Sequence, residues 1–375
     1  MTIQTLSTLN VKNKRVLLRL DLNTEIINNK PVFSPRMKSH LQTLNELRRK
    51  KAITVILAHQ SRQGKKDFTS LEQHAKLLKV KFVPDILGKK AITAITKLKP
   101  GEVLLLENIR SIKDEFNTSI KDNDLINILA LLFDIYLNDA FSISHRKQTS
   151  VTGFPQVLPH GIGRVMEKEI ESLKKINLKN TLYILGGAKP KENIDILRKN
   201  KNVLTAGIFG QLCTIAKGHN LGAQNKFLKK EIKEFVPLLK PLVKNIQTPI
   251  DFAVKINGKR KEIPIQSFPS KYEIFDIGKK TQELYIKKIK QAKSIFMKGT
   301  AGYCEEKQFC QGTKSILEAI AKSKAFSILG GGHTTSAIAK LKINKKKFNY
   351  ISLSGGALAE YVAGKKLPGV EVLKK

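Results

Sequence analysis

Four arginines in the first half of the chain follow the ends of predicted strands or stand where loops enter helices: Arg36, Arg62, Arg110 and Arg146. Lysine is far commoner than arginine here, so each arginine indicates a position that needs the planar guanidinium fork. That fork binds phosphate or carboxylate groups through two parallel hydrogen bonds. Because clustered cations repel one another unless an anion lies among them, the four arginines predict an anion site. Pairing with local surface carboxylates is the alternative for any single arginine.

Other polar residues stand at the ends of the same predicted strands. The run VLLRLDLN, which begins at Val16, predicts a buried strand followed by Asp21 and Asn23. The apolar run 52–57 predicts the next strand, and His59 follows it. Open parallel sheets bind ligands at the carboxyl ends of their strands, so we expect these side chains to share one edge with the arginines.

A second candidate site is the stretch LYILGGAKPK near the middle of the chain. Its apolar residues predict a strand, and a helix is predicted over 192–198. Gly186 and Gly187 would let backbone N–H groups approach an anion closely, and the helix N-terminus and Lys189 would add positive charge. This corner predicts a phosphate cradle, with a plain tight turn as the alternative. It is not a Walker A loop, because the pattern GxxxxGK[ST] does not occur.

Two more glycine-rich corners follow in the second half. The motif GGGHT places Gly331, Gly332, His333 and Thr334 between a predicted strand and a predicted helix, and SGGA does the same further on. Three such corners in one domain favour a pocket for a polyphosphate. A further corner, AGIFG with Gly207, is expected to pack an apolar wall.

Strands alternate with helices along the whole chain, which predicts an α/β fold with doubly wound parallel sheets. A chain of 375 residues fits two domains. The amphipathic helix at 165–174 is predicted to join them and to act as a hinge. In the second half, 248–254 is predicted as a strand, and 276–278 is predicted to open a helix.

The formal net charge is +37. Scattered lysines of this kind indicate a solvated surface, or a basic surface that attracts nucleic acid or steers anionic substrates. The N-terminal residues lack the pattern of a signal peptide, and no apolar run is long enough to span a bilayer. Cys213, Cys304 and Cys310 form no CxxC pair, and their odd number argues against a disulfide framework. We expect three free thiols and a cytoplasmic protein.

Eight motifs follow one another in a characteristic order along the chain. They are RLDLN from Arg19, His59-x-x-Arg62, LLENIR, NDAFSISHR, GGAK, GTAGYCE-x3-F-x2-GT, GGGHT and the final SGGALAEYVAGKKLPGVEVL. This order resembles that of the phosphoglycerate kinase family, and in places its archaeal branch. The resemblance covers almost the whole chain.

The resemblance implies two Rossmann-like domains that face a cleft. It places residues 1–164 and 362–375 in a domain that binds 3-phosphoglycerate or 1,3-bisphosphoglycerate. Residues 165–179 would be the interdomain helix and hinge, and 180–361 would bind ATP or ADP with Mg²⁺. The implied reaction is reversible phosphoryl transfer between 1,3-bisphosphoglycerate and ADP.

Family roles carry over to matching positions of this chain. Arg36 and Lys189 would be catalytic. The substrate-binding set would be Asp21, Asn23, Arg36, His59, Arg62, Arg110 and Arg146. The nucleotide-binding set would be Gly186, Gly187, Lys189, Gly207, Lys298, Glu305, Gly331, Gly332, His333 and Thr334.

Three departures from the family pattern concern the nucleotide site. His333 stands where most relatives have an aspartate that helps to hold Mg²⁺, and imidazole is a poor ligand for that ion. The metal ligand therefore stays unassigned. Asn193 replaces a lysine that contacts nucleotide phosphates in many relatives. Lys298 replaces an asparagine, and Thr300 a proline, in the glycine loop before Glu305. We expect Lys298 to supply the missing cation from the opposite wall.

Two other classes of function stay open at this stage. One is a catalytically weakened relative that binds RNA through its basic surface. In a milder version of this alternative, the enzyme is active and nucleic acid is only a secondary, charge-driven partner. The other is a dehydrogenase, which the absence of GxGxxG after a strand disfavours. No membrane partner is predicted, and a monomer and a homodimer are both compatible with the sequence.

Overall fold

A computed structural model describes residues 2–374 of the chain. They form two compact units, the first running to Glu171 and resuming at Lys366, the second spanning Ser172–Lys365. No helix among these residues is both long and apolar enough to cross a membrane.

The first unit contains a six-stranded parallel sheet in the order β5-β6-β4-β1-β7-β8 and a two-stranded hairpin, β2-β3. Its strands are β1 (Arg15–Arg19), β2 (Ile26–Ile27), β3 (Lys30–Pro31), β4 (Ile53–Leu57), β5 (Lys81–Phe82), β6 (Val103–Leu105), β7 (Ile135–Asn138) and β8 (His160–Ile162). Its helices are α1 (Pro35–Ser39), α2 (Leu41–Arg49), α3 (Glu72–Leu78), α4 (Lys89–Thr96), α5 (Asp124–Leu129) and α6 (Thr149–Thr152), and α7 (Arg164–Lys175) leads into the second unit.

Strands β1 and β4 lie in the middle of this sheet and are almost wholly buried. Their continuous apolar runs are typical of parallel strands covered on both faces. The polar residues that follow them therefore emerge at one edge, next to the end of β7. Strands β5 and β8 are two and three residues long, and the sequence analysis did not predict them.

Helix α7 begins where it does because the buried carboxylate of Asp139 caps it. Asp139 Oδ1 accepts hydrogen bonds from the backbone amides of Val165, at 2.8 Å, and Met166, at 3.2 Å. The other oxygen accepts from Thr43 Oγ1 at 2.8 Å. A carboxylate at a helix N-terminus satisfies free N–H groups and complements the helix dipole.

The segment from Lys366 onward returns to the first unit through α16 (Pro368–Glu371). The backbone amide of Gly369 donates to the carbonyl of Ser144 at 2.8 Å. A Cβ at Gly369 would lie 2.5 Å from a methyl carbon of Val151, so only glycine allows this close approach.

The second unit is built on a five-stranded parallel sheet in the order β10-β9-β14-β15-β16. Its strands are β9 (Thr181–Leu185), β10 (Val203–Thr205), β14 (Ser294–Lys298), β15 (Phe326–Gly330) and β16 (Tyr350–Ser352). Its helices are α8 (Pro190–Lys199), α9 (Gly207–Ala216), α10 (Ala223–Phe227), α11 (Lys229–Leu239), α12 (Lys279–Gln291), α13 (Gln311–Lys322), α14 (Gly332–Lys340) and α15 (Gly356–Val362). The prediction of an α/β fold with two parallel sheets is confirmed.

A three-stranded antiparallel sheet in this unit was not predicted. It consists of β11 (Asp251–Ile256), β12 (Lys259–Pro264) and β13 (Ile274–Ile277) in the order β12-β11-β13. The prediction that residues 276–278 open a helix was therefore wrong in part, since Asp276 lies in β13 and α12 begins at Lys279. The turn Asn257-Gly258, with φ of 49° and 75°, is the hairpin signal that sequence reasoning overlooked.

The expectation of three free thiols was also wrong. Cys304 and Cys310 form a disulfide whose Cα atoms are 4.3 Å apart. The loop between them folds back through the 3₁₀ turn Lys307–Phe309, which brings the two sulfurs together without a CxxC spacing. Cys213 is free and buried, and its burial raises the pKa of its thiol.

Candidate functional site

Asp21 and Arg36 meet at the edge of the first unit's sheet. Arg36 Nη1 lies 3.1 Å from Asp21 Oδ2, and the hydroxyl of Ser142 donates to the same oxygen. Asp21 Oδ1 accepts from the backbone amide of Asn23 at 3.1 Å. Burial by itself raises the pKa of Asp21, but Arg36 and these hydrogen bonds outweigh it and hold the pKa well below its usual range. Asp21 is a fixed carboxylate acceptor.

His59, Arg110 and Arg146 extend the same site. Arg110 is almost fully buried, and one of its guanidinium nitrogens donates to the carbonyl of Ser61. Burial, Arg146 and Arg19 lower the pKa of Arg110 to about 10. These cations thus lie close enough to disfavour one another's charge, and a bound anion would relieve that repulsion.

The other two predicted residues of this group lie at its border. The side chain of Arg62 is exposed, but its charge is among those that lower the pKa of Arg146. Asn23 Oδ1 accepts from the backbone amide of Ser61 at 2.7 Å, so Asn23 fixes the loop that carries Arg62. The first unit therefore brings together Asp21, Arg36, His59, Arg110 and Arg146.

The second unit contains a cavity of about 160 Å³ at the carboxyl ends of β9, β14, β15 and β16. Its walls are three glycine pairs, 186–187, 331–332 and 355–356. The side chains that line it belong to Lys189, Glu192, Lys298, His333 and Thr334.

Three helices begin at this cavity. Lys189, Gly331 and Gly355, which all line it, are the N-cap residues of α8, α14 and α15. Free N–H groups and the positive ends of three helix dipoles therefore converge on one space. Gly187 and Gly331 have φ of +77° and +93°, conformations that glycine adopts without strain. Such an arrangement binds anions, and phosphates above all.

Lys298 and Glu192 form an ion pair in the cavity wall. Lys298 Nζ lies 2.7 Å from Glu192 Oε2, and the lysine is only 6% exposed. Asn193, which is fully buried, donates from Nδ2 to the carbonyl of Gly186 at 2.9 Å. Asn193 thus holds the glycine corner, and Lys298 places a positive charge at the cavity.

Of the remaining predicted nucleotide-binding residues, Thr334 and Gly207 lie at or beside the cavity, whereas Glu305 lies outside it. Thr334 Oγ1 accepts from the backbone amide of Gly299 at 2.9 Å, and it fixes the loop after β14. Gly207 lies beside the cavity corner, where a Cβ would be 2.7 Å from the amide nitrogen of Gly187. Glu305 does not line the cavity; its side chain is 76% exposed and lies 3.3 Å from Lys340 Nζ.

Sequence reasoning missed Glu192 as a residue of this site. The carboxylate lies in the first turn of α8, and acidic residues are common there for helix stability alone. Only the contact with Lys298 shows that it turns toward the cavity. Among residues 2–374, no group of three or more His, Cys, Asp or Glu side chains is arranged to hold a metal ion.

Comparison with known proteins identifies the class to which this fold and these two sites belong. A family model described as phosphoglycerate kinase matches residues 6–365. The phosphoglycerate kinase of Methanothermus fervidus is 38% identical, with 99% of this chain and 97% of that protein covered. The enzyme of Saccharolobus solfataricus is 39% identical, with 100% and 97% covered. The crystal structure of phosphoglycerate kinase from Pyrococcus horikoshii superposes with a TM-score of 0.89 at 34% identity and covers 98% of both chains.

The chain belongs to the phosphoglycerate kinase family. It is a phosphotransferase of glycolysis, which transfers a phosphoryl group reversibly between 1,3-bisphosphoglycerate and ADP to give 3-phosphoglycerate and ATP. Its identity of 38–39% to archaeal relatives, over 97% of their length, confirms the archaeal-type resemblance. The alternative of an RNA-binding protein receives no support from the relatives.

Proposed function

We propose that the arginine-rich cluster of the first unit binds 3-phosphoglycerate or 1,3-bisphosphoglycerate. Asp21 and Asn23 would hold the glycerate hydroxyl and carboxyl region. His59, Arg62, Arg110 and Arg146 would hold the phosphate remote from the reaction. The support is that four arginines gather there, Arg19, Arg36, Arg110 and Arg146, against two carboxylates, Asp21 and Glu115. A doubly charged phosphate would balance this excess of positive charge.

The cavity of the second unit is then the site for the phosphates of ATP or ADP. The observation that carries this assignment is the convergence of three helix N-termini on one glycine-lined space. Lys189 and Lys298 would add two full positive charges to the N–H groups. Glu305, outside the cavity, would reach the nucleotide ribose.

The residues of this cavity fit a divalent ion of the Mg²⁺ type. That ion binds proteins through one or two carboxylates, with the substrate phosphates and water completing its shell. Glu192 is the carboxylate that would hold it, because its oxygen already faces a cation in the cavity. His333, an imidazole, would contact a phosphate instead. When bound, the ion neutralises charge on the phosphates.

The geometry suits transfer of a phosphoryl group without a general base. The acceptor is a carboxylate or a nucleoside diphosphate, and both are already anionic nucleophiles. Catalysis then consists of positioning the reactants and stabilising charge on the group in transit. We assign this stabilisation to Arg36 of the first unit and Lys189 of the second. Since the two ligands would bind to different units, transfer requires that they meet with water excluded.

The test is formation of ADP from MgATP that depends on added 3-phosphoglycerate, measured for the unchanged protein and for Lys189→Ala. We expect robust activity and a loss of at least ~100-fold in kcat in the variant, because Lys189 acts on the transferring group. Lys191→Ala, an exposed lysine two residues on, is the matched control. Absence of activity in the folded, unchanged protein would overturn the proposal. We further propose a cytoplasmic location, where these substrates occur.

A further inference from the structure

His59 is held from one side by a buried arginine. Its side chain is 2% exposed, and its Nδ1 lies 3.2 Å from Nη2 of Arg19. A guanidinium group has only N–H donors, so Nδ1 must be the acceptor and carry no proton. The proton of the neutral ring is therefore on Nε2. Within residues 2–374, Nε2 has no hydrogen-bond partner.

Arg19 is itself immobilised on its other donors. It is fully buried, with Nε donating to Ser150 Oγ at 2.8 Å and Nη1 donating to the carbonyl of Leu20. Every nitrogen of the guanidinium thus has a protein partner. Arg19 cannot reach a substrate directly, which distinguishes it from the other arginines of the site.

A carboxylate behind Arg19 completes the network. Glu115 accepts from the backbone amide of Ser150 at 2.9 Å and from its hydroxyl at 2.8 Å, one on each oxygen. Its Oε1 lies 3.8 Å from Arg19 Nη2. Ser150 Oγ donates its proton to Glu115, so a lone pair of the same oxygen accepts from Arg19 Nε. The donor and the acceptor of each hydrogen bond from Glu115 to His59 are therefore fixed.

We propose that Arg19 is a positioning residue that fixes His59 as a neutral Nε2–H donor toward the substrate phosphate, with Ser150 and Glu115 holding Arg19 in place. This inference rests on the proposed glycerate site. It assigns no charge to His59. The histidine adds a directed hydrogen bond, whereas Arg62, Arg110 and Arg146 provide the charge.

The electrostatic surroundings of the ring agree with this assignment. The charged groups that face His59 are Arg19, Asp21, Arg110 and Arg146. Burial is the largest influence, the three arginines act in the same direction, and only Asp21 opposes them. Together they hold the pKa of His59 well below its usual range. Protonation of the His59 ring would also place a proton on Nδ1, where it would point at an N–H group of Arg19.

The first experiment uses the unchanged protein, with ¹⁵N-labelled histidine and two-bond ¹⁵N–¹H NMR. The His59 signal is assigned by its loss in His59→Gln. We expect the Nε2–H tautomer from pH 5.5 to 8 with no titration. In Arg19→Met, the pKa of His59 should rise, because one of the influences that lower it is gone, and the signal should lose its single tautomer. An Nδ1–H tautomer, or a midpoint near 6.5 in the unchanged protein, would overturn the proposal.

A matched pair of substitutions tests the consequence for binding. The side-chain amide nitrogen of glutamine can stand near Nε2, whereas that of asparagine stands near Nδ1. We expect the Kd of 3-phosphoglycerate to rise less than ~5-fold in His59→Gln. In His59→Asn the Kd should be at least ~10-fold higher than in His59→Gln, because that variant loses one hydrogen bond to a charged group. Equal losses would count against the directed donor.

The two measurements separate this inference from the proposed function. If 3-phosphoglycerate does not bind at all, the glycerate site is wrong, while the tautomer is still read from the spectrum. Should Arg19→Met fail to fold, Ser150→Ala removes the acceptor for Arg19 Nε and leaves the guanidinium present. We then expect a smaller upward shift of the His59 pKa, and an unchanged pKa would contradict the network.

Discussion

Lys298 Nζ and Glu192 Oε2 are 2.7 Å apart in a cavity where three helices begin. The lysine enters from the end of β14 and the carboxylate from the first turn of α8, so the pair joins two walls of the same site. In the absence of nucleotide each group neutralises the other. Under the proposed function, a nucleotide with its metal would offer each group a better partner: a phosphate for the lysine and a cation for the carboxylate.

Removal of the lysine should weaken nucleotide binding. In Lys298→Met the phosphates lose a charge-assisted hydrogen bond of about 1.5–3 kcal/mol, so we expect the KM for MgATP to rise at least ~10-fold. The KM for 3-phosphoglycerate should change less than ~2-fold. Lys314→Met removes an exposed lysine that is 3.8 Å from Glu318 and serves as the control. An unchanged KM for MgATP in Lys298→Met would show that Lys298 does not act on the nucleotide.

Removal of the carboxylate should have opposite effects with and without metal. In Glu192→Gln, Lys298 is released from its partner, so metal-free ADP should bind more tightly than in the unchanged protein. The gain in ADP affinity on adding Mg²⁺ should shrink, because the carboxylate that would hold the ion is gone. Calorimetric titration of ADP with and without Mg²⁺ measures both effects. Glu318→Gln is the surface control, and an undiminished effect of Mg²⁺ would exclude Glu192 as the metal ligand.

The corner before α8 depends on the side chain of Asn193, which does not line the cavity. Asn193→Ala removes the hydrogen bond to the carbonyl of Gly186 and leaves a buried acceptor unpaired, at a cost of about 1–3 kcal/mol. We expect a lower Tm and a raised KM for MgATP. Asn225→Ala, which removes a bond to the amide of Leu221, is a control in the same unit. Here the Tm should fall while the KM stays constant.

Asp21 should make the first unit sensitive to acid. Its pKa lies well below its usual range in the folded protein, whereas that of an unfolded aspartate is about 3.9. The stability that it contributes is therefore complete above about pH 4 and is lost as the pH falls through the lower, folded value. In Asp21→Asn, unfolding monitored by circular dichroism between pH 4 and 2 should depend less steeply on pH. An identical slope would mean that Asp21 is not held ionised.

The return of the chain to the first unit can be tested at one glycine. In Gly369→Ala the new methyl group meets Val151 at 2.5 Å and Ser144 Cα at 3.0 Å. Overpacking of this kind costs about 1–3 kcal/mol, so we expect a lower midpoint of urea unfolding for the first unit. Gly355→Ala is not a suitable control, because it lies in the cavity. Gly218→Ser is a control in the second unit. Nothing lies within 4 Å of the added Cβ there, so this substitution strains the backbone, whose φ is +100°, without overpacking.

Much of both sheets could be predicted from the sequence, because buried parallel strands are continuous apolar runs. The strand predicted over 52–57 contains β4, and Gly186 and Gly187 marked the corner that follows β9. The antiparallel sheet was missed because β12, with Lys259 and Lys261, is mostly exposed and charged. Of its three strands only β11 was predicted, at 248–254, and the Asn-Gly turn that follows it was overlooked.

The candidate sites were predictable as sets of residues, but not as contacts. The clustering of Asp21, Arg36 and His59 followed from their places after neighbouring strands. The hydrogen-bond and ion-pair partners of Arg19 and Lys298 could not be predicted. A sequence does not show which donor meets which acceptor when the two residues are far apart along the chain. Glu305 stays a prediction for the ribose, because its exposed side chain makes no contact with the cavity wall.

Helix α16, which returns to the first unit, also determines when that unit can be completed during synthesis. Its docking partners near Ser144 leave the ribosome before the second unit is made, and Gly369 leaves after it. The first unit therefore cannot be completed, and the surface that receives α16 stays uncovered, until the second unit has been translated.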